Sequence, residues 1–479
     1  MEIIALIASI AGTAVIRHLR NKYEQKELED ALGVSAGSTE FSEHTDPSKQ
    51  SQGREDRCIR LAAFTSLQEA KENIGQPKRS SSVMSLNGLW KFKLFNSVPP
   101  AIAHVSKMEG VGCKSLTNIR VPGSWQLQVN GDAPIYTNFK YIIPVEPPNV
   151  PAANPTGYYA RTFSLPATLQ RSSKSQVFAP LLESHSVFLS FGGVDSFFHL
   201  WVNHMYVGFS KDSRLAADFN ISKYLKPSVA GKIETLIEVV VLRYSDGHYL
   251  EDQDMFNLSG IFRDVMVYLV RQEVSIAEYD WTSTYHEDTL EATIDLTVYI
   301  KEKLKLSQNP MGRQPASPGR SPFKYALSAA LQEDGLLESS VYHSVDDPSV
   351  ERMEYEMNNP SQPRFRFGTK KPAASVIVPI RSHTYTSLHT AGPAGTKPNT
   401  HSEGLEYEEE GYAVQKLTLS LKVPAKSCHL WSAEQPYLYS LTLSLLDIQD
   451  KPNNSLGEWS LFGACACACA CVELYISIL

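Results

Sequence analysis

A period of two in the apolar residues constrains this chain more than any other feature of its sequence. In EATIDLTVYI (291–300), Ala292, Ile294, Leu296, Val298 and Ile300 alternate with more polar neighbours. Such spacing suits a strand with one buried and one wetter face. KYALSAAL (324–331), KLTLSLKV (416–423) and LYSLTLSLLD (438–447) repeat it, which predicts an immunoglobulin-like sandwich over 271–447. Two interruptions, 307–322 and roughly 381–411, are rich in Pro, Gly, Ser and Thr and read as mobile surface insertions.

The preceding stretch, 85–270, breaks into short strands between Gly, Pro and Asn turns. SVFLSF (186–191) and FFHLWV (197–202) are aromatic-rich strands, and Asn203-His204 then stands at two-residue hairpin length before MYVGFS. LIEVVVLRYS (236–245) is a β-branched run without alternation, expected to be buried on both faces. Helical periodicity is nearly absent. The fold class is therefore all-β, a jelly-roll β-sandwich (85–270) followed by the immunoglobulin-like one. Residues 1–84 read as an apolar N-terminal segment plus a polar, Ser-rich, flexible region.

Charge and cysteine narrow the function classes. A net charge of -7 gives no electrostatic reason to expect nucleic acid as a partner. The 22 Tyr, 19 Phe and 6 Trp offer faces on which sugar rings stack, although most such residues simply fill sheets. Cys58, Cys113 and Cys428 fit no disulfide framework or metal spacing. Residues 448–479 contain a strict Ala-Cys alternation that matches no metal site and reads as an aberrant tail. The apolar run Ile3–Ile16 is shorter than the ~18 residues a membrane span needs. A cytoplasmic location is expected, with membrane or organelle association through residues 3–16 as the alternative.

Three long blocks then carry a resemblance: IYTNFKYIIPVEPPNVPAANPTGYY (135–159), GGVDSFFHLWVNHMYVGFSKDSRLAADFNISKYL (192–225) and RYSDGHYLEDQDMFNLSGIFRDV (243–265). Together with WSAEQPYLYSL (431–441), they closely resemble the bacterial-type β-galactosidases of glycoside hydrolase family 2. The resemblance implies a sugar-binding jelly roll, an immunoglobulin-like domain and then a catalytic (β/α)₈ barrel. The barrel would carry the two catalytic Glu residues and most of the sodium and magnesium ligands. It has no counterpart within these 479 residues, and too few residues follow Asp447 even for the last strand of the second domain. The family is often tetrameric and takes β-galactosides. By resemblance, Asn138 borders the galactose pocket, and Asp212 contacts a galactose hydroxyl and belongs to a partial sodium site. From the residues alone, Asn138 is equally a turn residue and Asp212 a loop Asp paired with Arg214.

The segment 243–264 holds five carboxylates, so a catalytic role has to be weighed. Retaining hydrolysis needs two carboxylates about 5 Å apart on opposite sides of the anomeric carbon. Asp252 and Asp254 would lie ~6.6 Å apart along an extended segment, yet on the same face. Glu251, Asp252 and Asp254 are thus expected to accept hydrogen bonds within a tight loop. No catalytic residue is assigned. The expected function is the N-terminal portion of a β-galactosidase, incompetent without its barrel; the alternative is a non-catalytic carbohydrate-binding or interaction module.

Overall fold

The computed structural model describes residues 41–56, 81–107, 110–170, 178–226, 231–251, 253–303, 305–306, 323–336, 374–381, 384–385, 405–409, 412–432, 437–447 and 471–476, with 62–64, 69–70, 73 and 77–80. The apolar N-terminal run, the insertion at 307–322, most of 381–411 and all but the last residue of the Ala-Cys tract lie outside the described residues. The chain divides into two compact units. One draws on residues up to Arg60, Met84–Leu169 and Ala179–Leu269; the other on Leu61–Val83, Gln170–Phe178 and the chain from Val270 onward.

The first unit is a sandwich of a seven-stranded and a four-stranded sheet. The larger runs, in spatial order, Ser51–Gln52, Met205–Ser210, Phe197–Val202, Lys232–Leu242, Thr156–Pro166, Gly88–Phe95 and Thr117–Val121. The smaller runs Ala217–Asn220, His185–Phe191, Val265–Arg271 and Val83–Ser85. Lys232–Leu242 sits at the centre of the larger sheet. Val239 and Val241 enter the core between the sheets with Trp90, Tyr159, Leu189 and Val267. Val240 and Leu242 pack on the opposite face with Phe197, Trp201 and Phe209. Both faces are covered, which is why this strand carries apolar residues without alternation.

That outer cover includes an α-helix, Val98–Ser106, which the sequence reading did not anticipate. Its buried residues Val98, Ala101, Ile102 and Val105 follow helical spacing. Nine residues led by two prolines are too short a run to announce that spacing. The prolines cost little in the first turn, where backbone N–H groups have no helical partner anyway.

The Asn203-His204 hairpin forms as expected, with both residues at positive φ (51° and 63°). His204 is held there by its surroundings. Its Nδ1 lies 2.7 Å from Oε2 of the buried Glu238, whose Oε1 accepts the Tyr158 hydroxyl at 2.7 Å. The Asn203 side chain accepts from the Leu236 N–H at 3.0 Å and donates to the Tyr224 carbonyl at 2.9 Å.

Residues 41–56, expected within a flexible region, form an ordered strap. Ser51 and Gln52 pair with Ser210 and Phe209 on the edge of the larger sheet. Arg54 then bridges to Phe219 on the edge of the smaller one, and the Glu55 N–H donates to the Asp218 carbonyl at 2.8 Å. Phe41 packs edge-on against His199 and Tyr206. Backbone pairing and polar side-chain contacts, with Arg54 donating to the Ser210 hydroxyl at 2.9 Å, do most of the holding, so a polar sequence conceals it. Gly208 makes the close approach possible, since a Cβ there would fall 1.8 Å from the Gln52 carbonyl oxygen.

The second unit is also a β-sandwich, with all pairings antiparallel between its long strands. One sheet runs Val274–His286, Glu291–Lys303, Tyr412–Val423 and Leu405–Glu409; the other runs Ala374–Arg381, Phe323–Leu336, Tyr437–Asp447 and Cys471–Ile476. The alternating residues Ile294, Leu296, Val298 and Ile300 meet Leu327, Leu419, Leu441 and Leu443 in its core. Two sequence expectations are corrected here. Leu405–Glu409, placed in an insertion, is an edge strand, with Tyr407 opposite Val414. Cys471–Ile476, placed in the aberrant tail, pairs along Tyr439–Ser444. In the sequence the adjoining Ala-Cys tract masked that strand.

Gly208→Ala should detach the strap, because the added methyl occupies the space of the Gln52 carbonyl. Tryptic cleavage after Arg54 is expected to quicken about tenfold, with the core strands still protected.

Candidate functional site

Where Lys232–Leu242 leaves the larger sheet, the chain enters RYSDGHYLEDQDMFN (243–257). Arg243 comes first and is buried. Its Nη1 ion-pairs with the Asp132 carboxylate and donates to the Ala133 carbonyl at 3.3 Å. The second oxygen of Asp132 accepts the Trp125 indole N–H at 2.8 Å and the Gln126 amide at 2.9 Å. A buried charge is tolerable only when paired and hydrogen-bonded; the two charges pair here, and both Asp132 oxygens are engaged.

After a 3₁₀ turn at Asp246–Leu250, Met255–Asn257 pairs with Ile135–Thr137, setting Phe256 opposite Tyr136. The Tyr136 hydroxyl donates to Asp254 at 2.5 Å, and the Tyr141 hydroxyl to the Tyr249 carbonyl at 3.0 Å. The segment thereby fixes the loop that carries Asn138. Asn138 itself is exposed, in a turn closed by Thr137, whose Oγ1 accepts the Lys140 N–H at 3.1 Å.

The same segment holds the loop of Asp212. Lys211 donates to Asp246 at 2.8 Å, both side chains being buried. The Ser213 N–H donates to Glu251 Oε1 at 3.2 Å, and the Ser213 hydroxyl donates to Oε2 of the same carboxylate. Asp212, between them, is half-buried and left-handed at φ 54°. Arg214, expected as a partner of Asp212, reaches Asp195 at 3.2 Å. Asn138 and Asp212 thus sit on separate loops braced by one shared segment. Glu251 and Asp254 accept hydrogen bonds as expected, whereas Asp252 lies outside the described residues.

Asp195 is the member of this wall that sequence reasoning missed. Burial pushes its carboxyl up to about 7; Arg214 opposes that, while the like charge of Glu251 adds to it. Its Oδ1 also accepts the Ser259 hydroxyl at 3.3 Å. A raised carboxyl beside a second carboxylate invites comparison with an acid and base pair. Both groups, however, are engaged as acceptors within the wall, Asp195 by Arg214 and Ser259 and Glu251 by Ser213. Nothing in the alternation or spacing of VDS (194–196) announces this burial.

The outer side of the wall is apolar. Leu250 is 86% exposed, Phe139 73%, Phe256 62% and Tyr136 57%. Tyr136 and Phe256 lie 5.5 Å apart between ring centroids. Among the described residues no group of three or more His, Cys, Asp or Glu could hold a metal ion.

Two outcomes follow. Arg243→Met strands the Asp132 carboxylate in the interior and should lower the stability of the first unit by about 3–5 kcal/mol, read by denaturant unfolding. Asp195 keeps a proton in the folded state that the unfolded chain releases above its ordinary value of 3.8. Its contribution to stability is greatest below that value and declines as pH rises towards about 7. Asp195→Asn should flatten this slope in unfolding curves taken across the window.

The chain is similar to several known proteins. Residues 83–271 match the family model described as glycosyl hydrolases family 2, sugar binding domain. A β-galactosidase of Enterobacter cloacae is 33% identical over 422 residues, covering 87% of this chain and 30% of that protein. A β-galactosidase of Pectobacterium atrosepticum is 41% identical over 223 residues, 47% of this chain and 19% of that one. The chain spans less than a third of the length of these relatives. Among solved structures, a Bacteroides uniformis β-glucuronidase aligns with a TM-score of 0.47 at 13% identity, over 83% of this chain and 32% of its own.

Proposed function

We propose that this chain, which carries a glycosyl hydrolase family 2 sugar-binding domain, supplies the sugar-binding wall of a β-galactosidase acting on terminal β-D-galactosides. The observation that carries this reading is the shared brace: one segment, 243–257, holds the loops of Asn138 and Asp212 in place at once. The β-galactosidases similar to this chain supply the substrate class.

Each side chain has a task in this reading. The Asn138 amide both donates and accepts, as sugar hydroxyls require. The Asp212 carboxylate accepts from a hydroxyl and, as a hard oxygen ligand, suits sodium. The carboxylates of the wall are already engaged in holding loops. Hydrolysis needs a pair facing each other across the sugar, and we assign that pair to the portion of the relatives that this chain does not span. Phe139, Leu250 and Phe256 would then pack against that portion. A cytoplasmic location fits Cys113 and Cys428, which are free thiols. Among the described residues, no helix is long and apolar enough to cross a membrane.

A second reading, a non-catalytic carbohydrate-binding module, is favoured by the exposed rings of Tyr136, Phe139 and Phe256, on which a sugar could stack.

The purified chain should bind methyl β-D-galactoside in saturation-transfer NMR. Asn138→Ala and Asp212→Ala should each weaken binding about tenfold, the loss of one good hydrogen bond. It should leave a chromogenic β-galactoside intact. Turnover that survives removal of contaminating enzyme and disappears with Asp212→Ala would overturn the assignment. Binding that instead depends on Phe139 and Phe256 would favour the second reading.

A further inference from the structure

Lys211, Asp212, Ser213 and Arg214 are consecutive, and three of the four are bound to three different carboxylates. Lys211 meets Asp246 at 2.8 Å and also donates to the Asp46 carbonyl at 2.7 Å. Ser213 gives both its N–H and its hydroxyl to Glu251. Arg214 meets Asp195 at 3.2 Å, and its own carbonyl accepts from Arg263 at 2.6 Å. These partners come from four separate places: the strap, the strand Val194–Asp195, the 246–251 turn and Arg263 before the strand Val265–Arg271. Only Asp212 departs from ordinary backbone geometry, at φ 54°.

A non-glycine residue in the left-handed region is strained and persists where its surroundings over-determine it. A turn pinned on both sides of the unusual residue meets that condition. The side chain at its apex then projects in one direction, with less freedom to lose when a ligand arrives.

We infer that Asp246, Glu251 and Asp195 are positioning residues, which together clamp the Lys211–Arg214 turn so that the Asp212 carboxylate is presented in a fixed orientation at the sugar-binding wall. The purpose of the clamp rests on the proposed sugar-binding function; its geometry does not. Glu251 is its centre, because it alone holds the residue next to Asp212 through two hydrogen bonds.

The test compares Glu251→Ala, Glu251→Gln and Asp212→Ala in the full chain. Amide hydrogen exchange is read at 211–214 and on the strands Phe197–Val202 and Lys232–Leu242. Glu251→Ala should speed exchange at Ser213 and its neighbours at least about tenfold while the strands stay protected. It should also weaken methyl β-D-galactoside binding to the level of Asp212→Ala. Glu251→Gln keeps one oxygen acceptor for the Ser213 N–H and should restore part of both. Ser213→Ala, which removes the hydroxyl without touching a charge, should fall between wild type and Glu251→Ala. Unchanged exchange at 211–214 in Glu251→Ala overturns the clamp. So does galactoside binding that is lost in Asp212→Ala but retained in Glu251→Ala. A wild-type chain that binds no galactoside sinks the proposed function alone, and the exchange comparison still decides whether the turn is clamped.

Discussion

A buried guanidinium governs this molecule. Arg243 stands where the central strand of the larger sheet ends and the site wall begins, and it is held inside by Asp132. Asp132 in turn needs the Trp125 indole and the Gln126 amide to satisfy its second oxygen. Taking such a pair out of water is costly unless every polar atom finds a partner. Folding the 125–133 loop over the end of the strand supplies partners for Nη1 of Arg243 and for both oxygens of Asp132. From that fixed point the wall runs outward, first through the 3₁₀ turn and then along the pairing with Ile135–Thr137.

Carboxylates in this wall act as fasteners. Asp246, Glu251, Asp254 and Asp195 each accept from a neighbouring loop, so a dense acidic stretch in the sequence becomes a set of struts. The distinction matters for function, because the same residue types, set face to face around a sugar, would be a hydrolytic pair. Type and local density alone do not separate the two roles; the partners do.

The sequence disclosed the fold where periodicity was strong. The alternation in Glu291–Lys303 placed Ile294 to Ile300 in the core, and the unbroken run Val239–Leu242 marked a strand covered on both sides. It was silent where cohesion comes from backbone pairing, as with Ser51–Gln52 and Leu405–Glu409, or where a short helix lies under a sheet. At the candidate site, the motif 243–264 was visible as a loop-former. The carboxylate partners of Lys211, Ser213 and Arg214 were not, since they stand 19 to 38 positions away. Separation of that size leaves no trace in any local pattern.

The strap at 51–55 has a protective consequence. Met205–Ser210 would otherwise present a bare row of amides and carbonyls at the rim of the larger sheet, and such rims recruit strands from other molecules. By laying its own backbone along that rim and crossing to Phe219, the chain closes the seam between its two sheets. A short polar segment thereby acts as a guard against self-association in a protein made of strands.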